Sequence, residues 1–186
     1  MSKRIAVFGI AIICALVGAT VPSPRLAVAA TKAELNRDGK SALARLYAST
    51  PKSKELGAIA KGVLVFPSVV KGGFLVGGLF GEGVLLKGGN PVAYYNTVAG
   101  SYGLQAGIQK YGYALFLMND AALQYLDRSD GWEIGTGPSI VVVDKGAAGG
   151  LSTSTIRDDI YAFIFSQTGL MAGLGLQGSK ITRIQK

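Results

Sequence analysis

Residues 71–87 read KGGFLVGGLFGEGVLLK, a run in which glycine alternates with large apolar residues. Glycine weakens a β-strand, so its repeated placement among strand-forming residues needs a structural reason. The usual reasons are sharp bends, bulges and the close approach of a second backbone. Because 25 of the 157 residues after position 29 are glycine, we expect a small, strongly bent sheet.

Strand-like segments surround this run on both sides. Gly62–Phe66 is a short apolar segment that Pro67 is expected to end, and Gly88-Gly89-Asn90-Pro91 has the composition of a turn. Further segments are rich in aromatic and β-branched residues or alternate between apolar and polar positions. They comprise Val92–Val98, Ser101–Ile108, Tyr111–Met118, Trp132–Ile134, Ser139–Val143, Ile160–Phe165 and Leu170–Gln177.

Helices are expected before this sheet and once within it. Thr31-Lys32-Ala33-Glu34 has the capping-box pattern and predicts a helix over residues 31–48. A second helix is expected from Pro51 to Gly62, and Asn119 is expected to cap a third, at residues 121–126. The sequence therefore predicts an α+β fold. Its N-terminal helices would pack on a glycine-rich, strongly curved antiparallel sheet or partly closed barrel.

The first 29 residues have the layout of a cleavable secretory signal peptide. Lys3 and Arg4 precede an uncharged apolar run, and Ala27-Val28-Ala29 is a small-x-small cleavage motif. We therefore expect residues 1–29 to be removed and residues 30–186 to form one domain, in the periplasm or secreted.

Residue types that carry most enzyme chemistry are missing from this expected domain. The chain has no histidine, and its single cysteine, Cys14, lies inside the apolar leader. Nucleophiles activated by histidine are therefore excluded, and zinc sites nearly so. The run GLGLQG at residues 173–178 lacks the acidic residue that a dinucleotide site needs downstream. We expect no enzyme activity, no catalytic residues, no metal and no cofactor.

Positive charge is concentrated at the two ends of the expected domain. Removing Lys3, Arg4 and Arg25 leaves 16 basic and 11 acidic residues, a net charge of +5. Such patches favour anionic partners, and export makes nucleic acid the weakest of these. The apolar face of the helix over residues 31–48 would either pack on the sheet or lie in a lipid interface.

Several motifs resemble the SYLF domain, in an order and spacing that are specific to that family. They extend over nearly the whole expected domain, from Leu35 to Ile184. They are KGVLVFP at 61–67, KGGF at 71–74, GG at 77–78, GLQAG at 103–107, Ile160-Tyr161, Ser166, GLMAG at 169–173 and LQGS at 176–179.

This resemblance implies a lipid-binding function. Eukaryotic SYLF members bind phosphoinositides, and some bind actin regulators through a separate SH3 domain, which this sequence does not contain. Bacterial members are typically exported stand-alone proteins thought to bind lipid. In the family, lipid binding is associated with the basic amphipathic helix at the N-terminus, here residues 31–48. On this helix the resemblance makes Lys32, Arg37, Lys40 and Arg45 candidate head-group contacts. The basic residues that follow add Lys52, Lys54, Lys61 and Lys71 to the predicted contacts.

The hypothesis from sequence is thus a lipid-binding module, peripherally associated with a membrane. It would recognise anionic, phosphoinositide-like lipids. The alternative is a structural or protein-interaction domain of the cell envelope that binds a protein partner without lipid specificity.

Overall fold

A computed structural model describes residues 29–128, 131–143, 157–169, 176 and 178–186, without the side chains of 74–76 and 101–106. The predicted signal peptide, apart from Ala29, lies outside the described residues. So does the predicted segment Leu170–Gln177, apart from Leu176.

Three helices have the capping groups that the sequence predicts. Helix α1 spans Lys32–Ser49, and both hydrogen bonds of the Thr31–Glu34 capping box are present. Helix α2 spans Pro51–Ile59, with proline in its first turn, and α3 spans Asp120–Leu126 with Asn119 as its N-cap. Helix α2 ends before Gly62, which instead begins the first strand, so the predicted helix end was wrong.

Two long strands form the centre of the sheet. Strand β1 spans Gly62–Lys87 and pairs antiparallel with β2, Asn90–Leu117, along almost its whole length. Gly88 and Gly89 join them with φ values of 55° and 78°. Positive φ at both central residues suits a tight hairpin and is readily adopted by glycine. The predicted turn is confirmed.

Four shorter strands complete the described sheet. They are β3 (Trp132–Glu133), β4 (Ile140–Val143), β5 (Ile160–Gly169) and β6 (Lys180–Ile184). The order is β3-β6-β2-β5-β4, with β1 on the other edge of β2. Only the β4–β5 pair is parallel among these strands. The sheet curls into a half-barrel, so the predicted α+β class with a curved sheet is confirmed, and the sheet is mixed.

Close packing against residues 66–69 explains two glycines in the second half of β1. A Cβ atom added at Gly83 would lie 2.7 Å from the ring of Phe66. One added at Gly81 would lie 2.7 Å from Val69 and 3.1 Å from the Ser68 carbonyl oxygen. Residues 66–69 and 81–83 of β1 therefore lie at contact distance. Pro67 does not end the strand as predicted, because a register shift between Phe66 and Val69 accommodates it.

Two apolar cores lie on opposite sides of the sheet. Inside the curl, a cluster includes Phe66, Tyr113, Leu115 and Trp132. On the outside, α1 and α2 cover a second cluster that includes Leu46 and Phe116. The segments expected separately at 92–98, 101–108 and 111–118 are one continuous strand, because β1 supplies hydrogen-bond partners along most of the length of β2.

Candidate functional site

The apolar face of α1 is covered by the sheet. Leu35, Ala42 and Leu46 are buried and share a cluster with residues of β1 and β2. Tyr94 Oη also donates a 2.9 Å hydrogen bond to Asn36 Oδ1, which attaches the helix to β2. Of the two orientations left open by the sequence, the structure has the helix packed on the sheet. Its polar flanks are the parts that remain exposed.

Three of the eight predicted head-group contacts have a partner within the protein. The Lys32 ammonium lies 5.8 Å from the centroid of the Tyr94 ring, and Arg37 pairs with Asp38 at 3.0 Å. Lys52 pairs with Glu55 at 2.6 Å. Positions 40 and 45 are five residues apart, so their side chains point about 140° apart around the helix. Of the remaining five, Lys40, Arg45, Lys54 and Lys61 are exposed and Lys71 is partly exposed.

Arg45 meets residues from three strands at one cleft. This cleft, here called the Arg45 cleft, has a volume of about 480 Å³. The helix α1 forms one wall, and the bulged part of β1 and the C-terminal parts of β2 and β5 form the others. Its lining residues are Asp38, Ser41, Arg45, Pro67, Ser68, Lys110, Tyr111, Ser166 and Thr168.

A backbone irregularity in β5 shapes this cleft. Ser166 has a φ of 52°, and among the described residues other than glycine no other has a positive φ. It lies where the β2–β5 register shifts between Lys110 and Gly112. Such bulges redirect side chains and occur next to functional sites. Ser166 and Arg45 also line a second cleft of about 210 Å³, so the two residues form the boundary between both clefts.

Exposed apolar side chains lie beside the cationic part of the cleft. Val70 is directly opposite Lys110 in the β1–β2 ladder, and its side chain is 46% exposed. Ile108, two positions before Lys110 on the same strand face, is 73% exposed. Phe80 is 52% exposed and lines a neighbouring cleft together with Val70. We call Val70, Phe80 and Ile108 the apolar rim.

Lys110 is the functional candidate that sequence reasoning missed. It lies in the strand-like region between Ile108 and Tyr111, outside the basic N-terminal segment where the charge count is highest. In the sequence, the residue that indicates this site is Ser166, because it belongs to the family motif. In the structure, β5 is irregular at the same position. Pairing of β2 with β5 and packing of α1 bring these residues together.

The cleft is suited to holding an anion. Arg45 and Lys110 supply cationic donors, and Ser41, Ser68, Ser166 and Thr168 supply hydroxyl groups. The lining also contains the carboxylate of Asp38, which pairs with Arg37 at 3.0 Å. Guanidinium and ammonium groups form strong, charge-assisted hydrogen bonds with phosphate oxygens. Within the described ranges, no three His, Cys, Asp or Glu side chains are grouped as a metal site.

None of the helices in the described part of the chain has the length and apolar character needed to cross a membrane.

Comparison with known proteins gives one family match. Residues 98–186 match the family Ysc84, described as "Las17-binding protein actin regulator". The matched region contains Lys110, Ser166 and Thr168 of the Arg45 cleft and does not contain α1. No curated protein matches the chain.

Proposed function

The chain belongs to the SYLF (Ysc84) domain family, and on that premise we propose that it binds anionic membrane lipids through the Arg45 cleft and the apolar rim. The observation that supports this most is the meeting of Arg45 with Lys110. These two cations come from elements far apart in the sequence and line one polar cleft beside exposed apolar side chains.

Charge at the cleft would supply the attraction to the lipid surface. A lysine or arginine near an anionic membrane surface contributes about 1 kcal/mol. Arg45 and Lys110 together would therefore strengthen binding by roughly 30-fold over a cleft without them. The hydroxyl groups of Ser41 and Ser166 would donate hydrogen bonds to a head-group phosphate.

Apolar residues would add shallow insertion. Val70, Phe80 and Ile108 have large exposed fractions, and side chains of this kind gain free energy when they enter the boundary between head groups and acyl chains. Lysine and arginine beside them keep their charged ends at the phosphate level. The combination favours a peripheral mode of membrane association, with recognition of phosphoinositide-like head groups as the finer proposal.

Export is a second part of the proposal. The leader pattern in residues 1–29 supports delivery to the periplasm or the outside of the cell. There the chain would contact a membrane surface that faces away from the cytoplasm. The remaining cations predicted from sequence, from Lys32 to Lys71, stay candidate contacts with the same surface.

A protein partner is the alternative, because the matching family is described as binding Las17 and regulating actin. For this chain, the alternative takes the form of a protein of the cell envelope bound without lipid specificity. The experiment below separates the two hypotheses.

The test is co-sedimentation of the exported, processed chain with anionic and zwitterionic vesicles at low and high salt. We expect stronger binding to anionic vesicles and weaker binding at high salt. Arg45→Gln and Lys110→Gln should each reduce binding to anionic vesicles about fivefold. Lys87→Gln is the matched control, since Lys87 is an exposed cation beside the hairpin turn.

Two results would contradict the proposal. Equal losses for Arg45→Gln, Lys110→Gln and Lys87→Gln would mean that net charge, and not the cleft, attracts the vesicles. No binding to either vesicle, together with stoichiometric capture of one envelope protein, would favour the protein-interaction alternative.

A further inference from the structure

The first described residues are attached to the last one through Glu82. Ala30 N–H donates a 3.0 Å hydrogen bond to Glu82 Oε2, and Lys186 Nζ donates to Glu82 Oε1 at 2.7 Å. Lys186 Nζ also donates to the Ala30 carbonyl oxygen at 2.7 Å. The Lys186 and Glu82 side chains are only 10% and 13% exposed. The carboxylate thus uses a separate oxygen for each partner.

An unused acceptor lies next to this arrangement. Asn96 is directly opposite Glu82 in the β1–β2 ladder, so both side chains project from the same face. Asn96 Oδ1 is buried and has no hydrogen-bond partner in the part of the chain that the structure describes. A buried acceptor without a partner is costly, and most such atoms in folded proteins are satisfied.

The predicted signal-peptide cleavage falls at this place. The small-x-small motif places the cut between Ala29 and Ala30, and Ala30 is the residue whose N–H contacts Glu82. Ala29 is exposed and lines an open cleft of about 260 Å³ together with Ala30 and Glu82. Removal of Ala29 would therefore leave the Ala30 nitrogen in place, with room for water beside it.

We propose that Glu82 and Asn96 form the binding site for the α-ammonium group that signal-peptide cleavage creates at Ala30. This rests on the proposed export of the chain. Hydrolysis of the Ala29–Ala30 bond by a signal peptidase consumes one water molecule, leaves a carboxylate on Ala29 and frees the Ala30 amino group, which takes up a proton. The neutral amide hydrogen bond to Glu82 becomes an ion pair.

The new ammonium suits the site in charge and in donor number. It retains one N–H for Glu82 Oε2 and gains two further donors, one of which Asn96 Oδ1 accepts. Hydrogen bonds between charged groups are stronger than neutral ones, and the low exposure of Glu82 reduces screening by water. Cleavage thereby strengthens the link between the start of the domain, β1 and Lys186.

The test measures how readily the Ala30 amine reacts. The full chain is exported and processed, and its N-terminal residue is identified by mass. A limiting amount of an amine-acylating reagent is then applied at pH 7. An ammonium held by Glu82 should be acylated about tenfold more slowly than a free α-amine. The ion pair favours the protonated form, and only the unprotonated amine reacts with the reagent. Glu82→Gln should restore the faster rate.

Two matched chains keep the result interpretable. One chain retains Val28 and Ala29 after processing, which moves the α-amine away from Glu82 and leaves the site itself unchanged. The amine of this chain should react at the faster rate. The other is Lys186→Met, which should keep the slow rate or slow it further, because Glu82 retains its charge and the neighbouring Lys186 ammonium is removed. Acceleration by Lys186→Met equal to that by Glu82→Gln would indicate general loosening and would overturn the proposal.

Two further results would also overturn it. One is an N-terminus other than Ala30, and the other is an equal rate for the chains with and without Val28 and Ala29. Vesicle binding reports on the lipid proposal separately, because Glu82 does not line the Arg45 cleft.

Discussion

Asn119 Nδ2 donates a 2.6 Å hydrogen bond to Asp159 Oδ1, which joins the N-cap of α3 to the start of β5. The other carboxylate oxygen, Oδ2, accepts from the backbone N–H of Ser139 at 2.9 Å and from its hydroxyl at 3.0 Å. The hydrogen bond from Asn119, followed by those from Ser139, holds the pKa of the Asp159 carboxyl below its usual range.

This network predicts a pH-dependent contribution to stability. A lowered pKa in the folded state means that the contribution is present above the unfolded-state pKa, near 4, and is lost as pH falls through the folded-state pKa. At pH 7, Asp159→Asn should lower the free energy of unfolding by about 1 kcal/mol. Urea unfolding at pH 7 and pH 3 checks this. If the difference in the free energy of unfolding between variant and wild type were the same at pH 7 and pH 3, the prediction would be wrong.

A single methyl group should be poorly tolerated where the two halves of β1 are in contact. Gly83→Ala places a Cβ atom 2.7 Å from the Phe66 ring, so the core must shift, and we expect a loss of about 1–3 kcal/mol in the free energy of unfolding. Gly100→Ala in β2 is the matched control, because nothing lies within 4 Å of its Cβ position. Thermal unfolding compares the two variants. Equal midpoints would mean that close approach does not explain the glycine at position 83.

The apolar rim should account for the part of vesicle binding that salt does not remove. High salt screens exposed charges and leaves the transfer of apolar surface largely intact. Phe80→Ser and Ile108→Ser should therefore weaken binding at both high and low salt. Arg45→Gln should weaken it mainly at low salt. Co-sedimentation over a salt series provides the measurement, with Val142→Ser as control because Val142 is 48% exposed on β4 and outside the rim.

Buried tyrosines predict a transition at alkaline pH. Burial raises the pKa of Tyr111 to about 12 and raises the pKa of Tyr113 and Tyr95 further. Their contribution to stability is complete below the unfolded-state pKa, near 10, and is lost as pH rises through the folded-state values. In a titration followed by absorbance of tyrosinate, these three should ionise only with unfolding. Reversible ionisation of all eight tyrosines below pH 11 in the folded state would contradict this.

Part of the candidate site was predictable from sequence, and part was not. The basic N-terminal segment identified Arg45, but it equally identified Arg37 and Lys52, which pair with neighbouring carboxylates. Charge density along the chain cannot distinguish these cases, because an ion pair between neighbouring residues and a cation at a cleft give similar local sequences. Lys110 was missed because a single lysine in a strand carries no local signal of its distant neighbours.

The sequence by itself determined the features that depend on neighbouring residues. The Thr31–Glu34 capping box, the Gly88-Gly89 turn and the Asn119 cap follow from side chains and φ preferences within four positions. Only the tertiary structure decided the continuity of β2, the contact of Gly83 with Phe66 and the meeting of Arg45 with Lys110. These depend on strand register and bulges, where a shift of one residue reverses which face each side chain occupies, and local preference alone does not select the register.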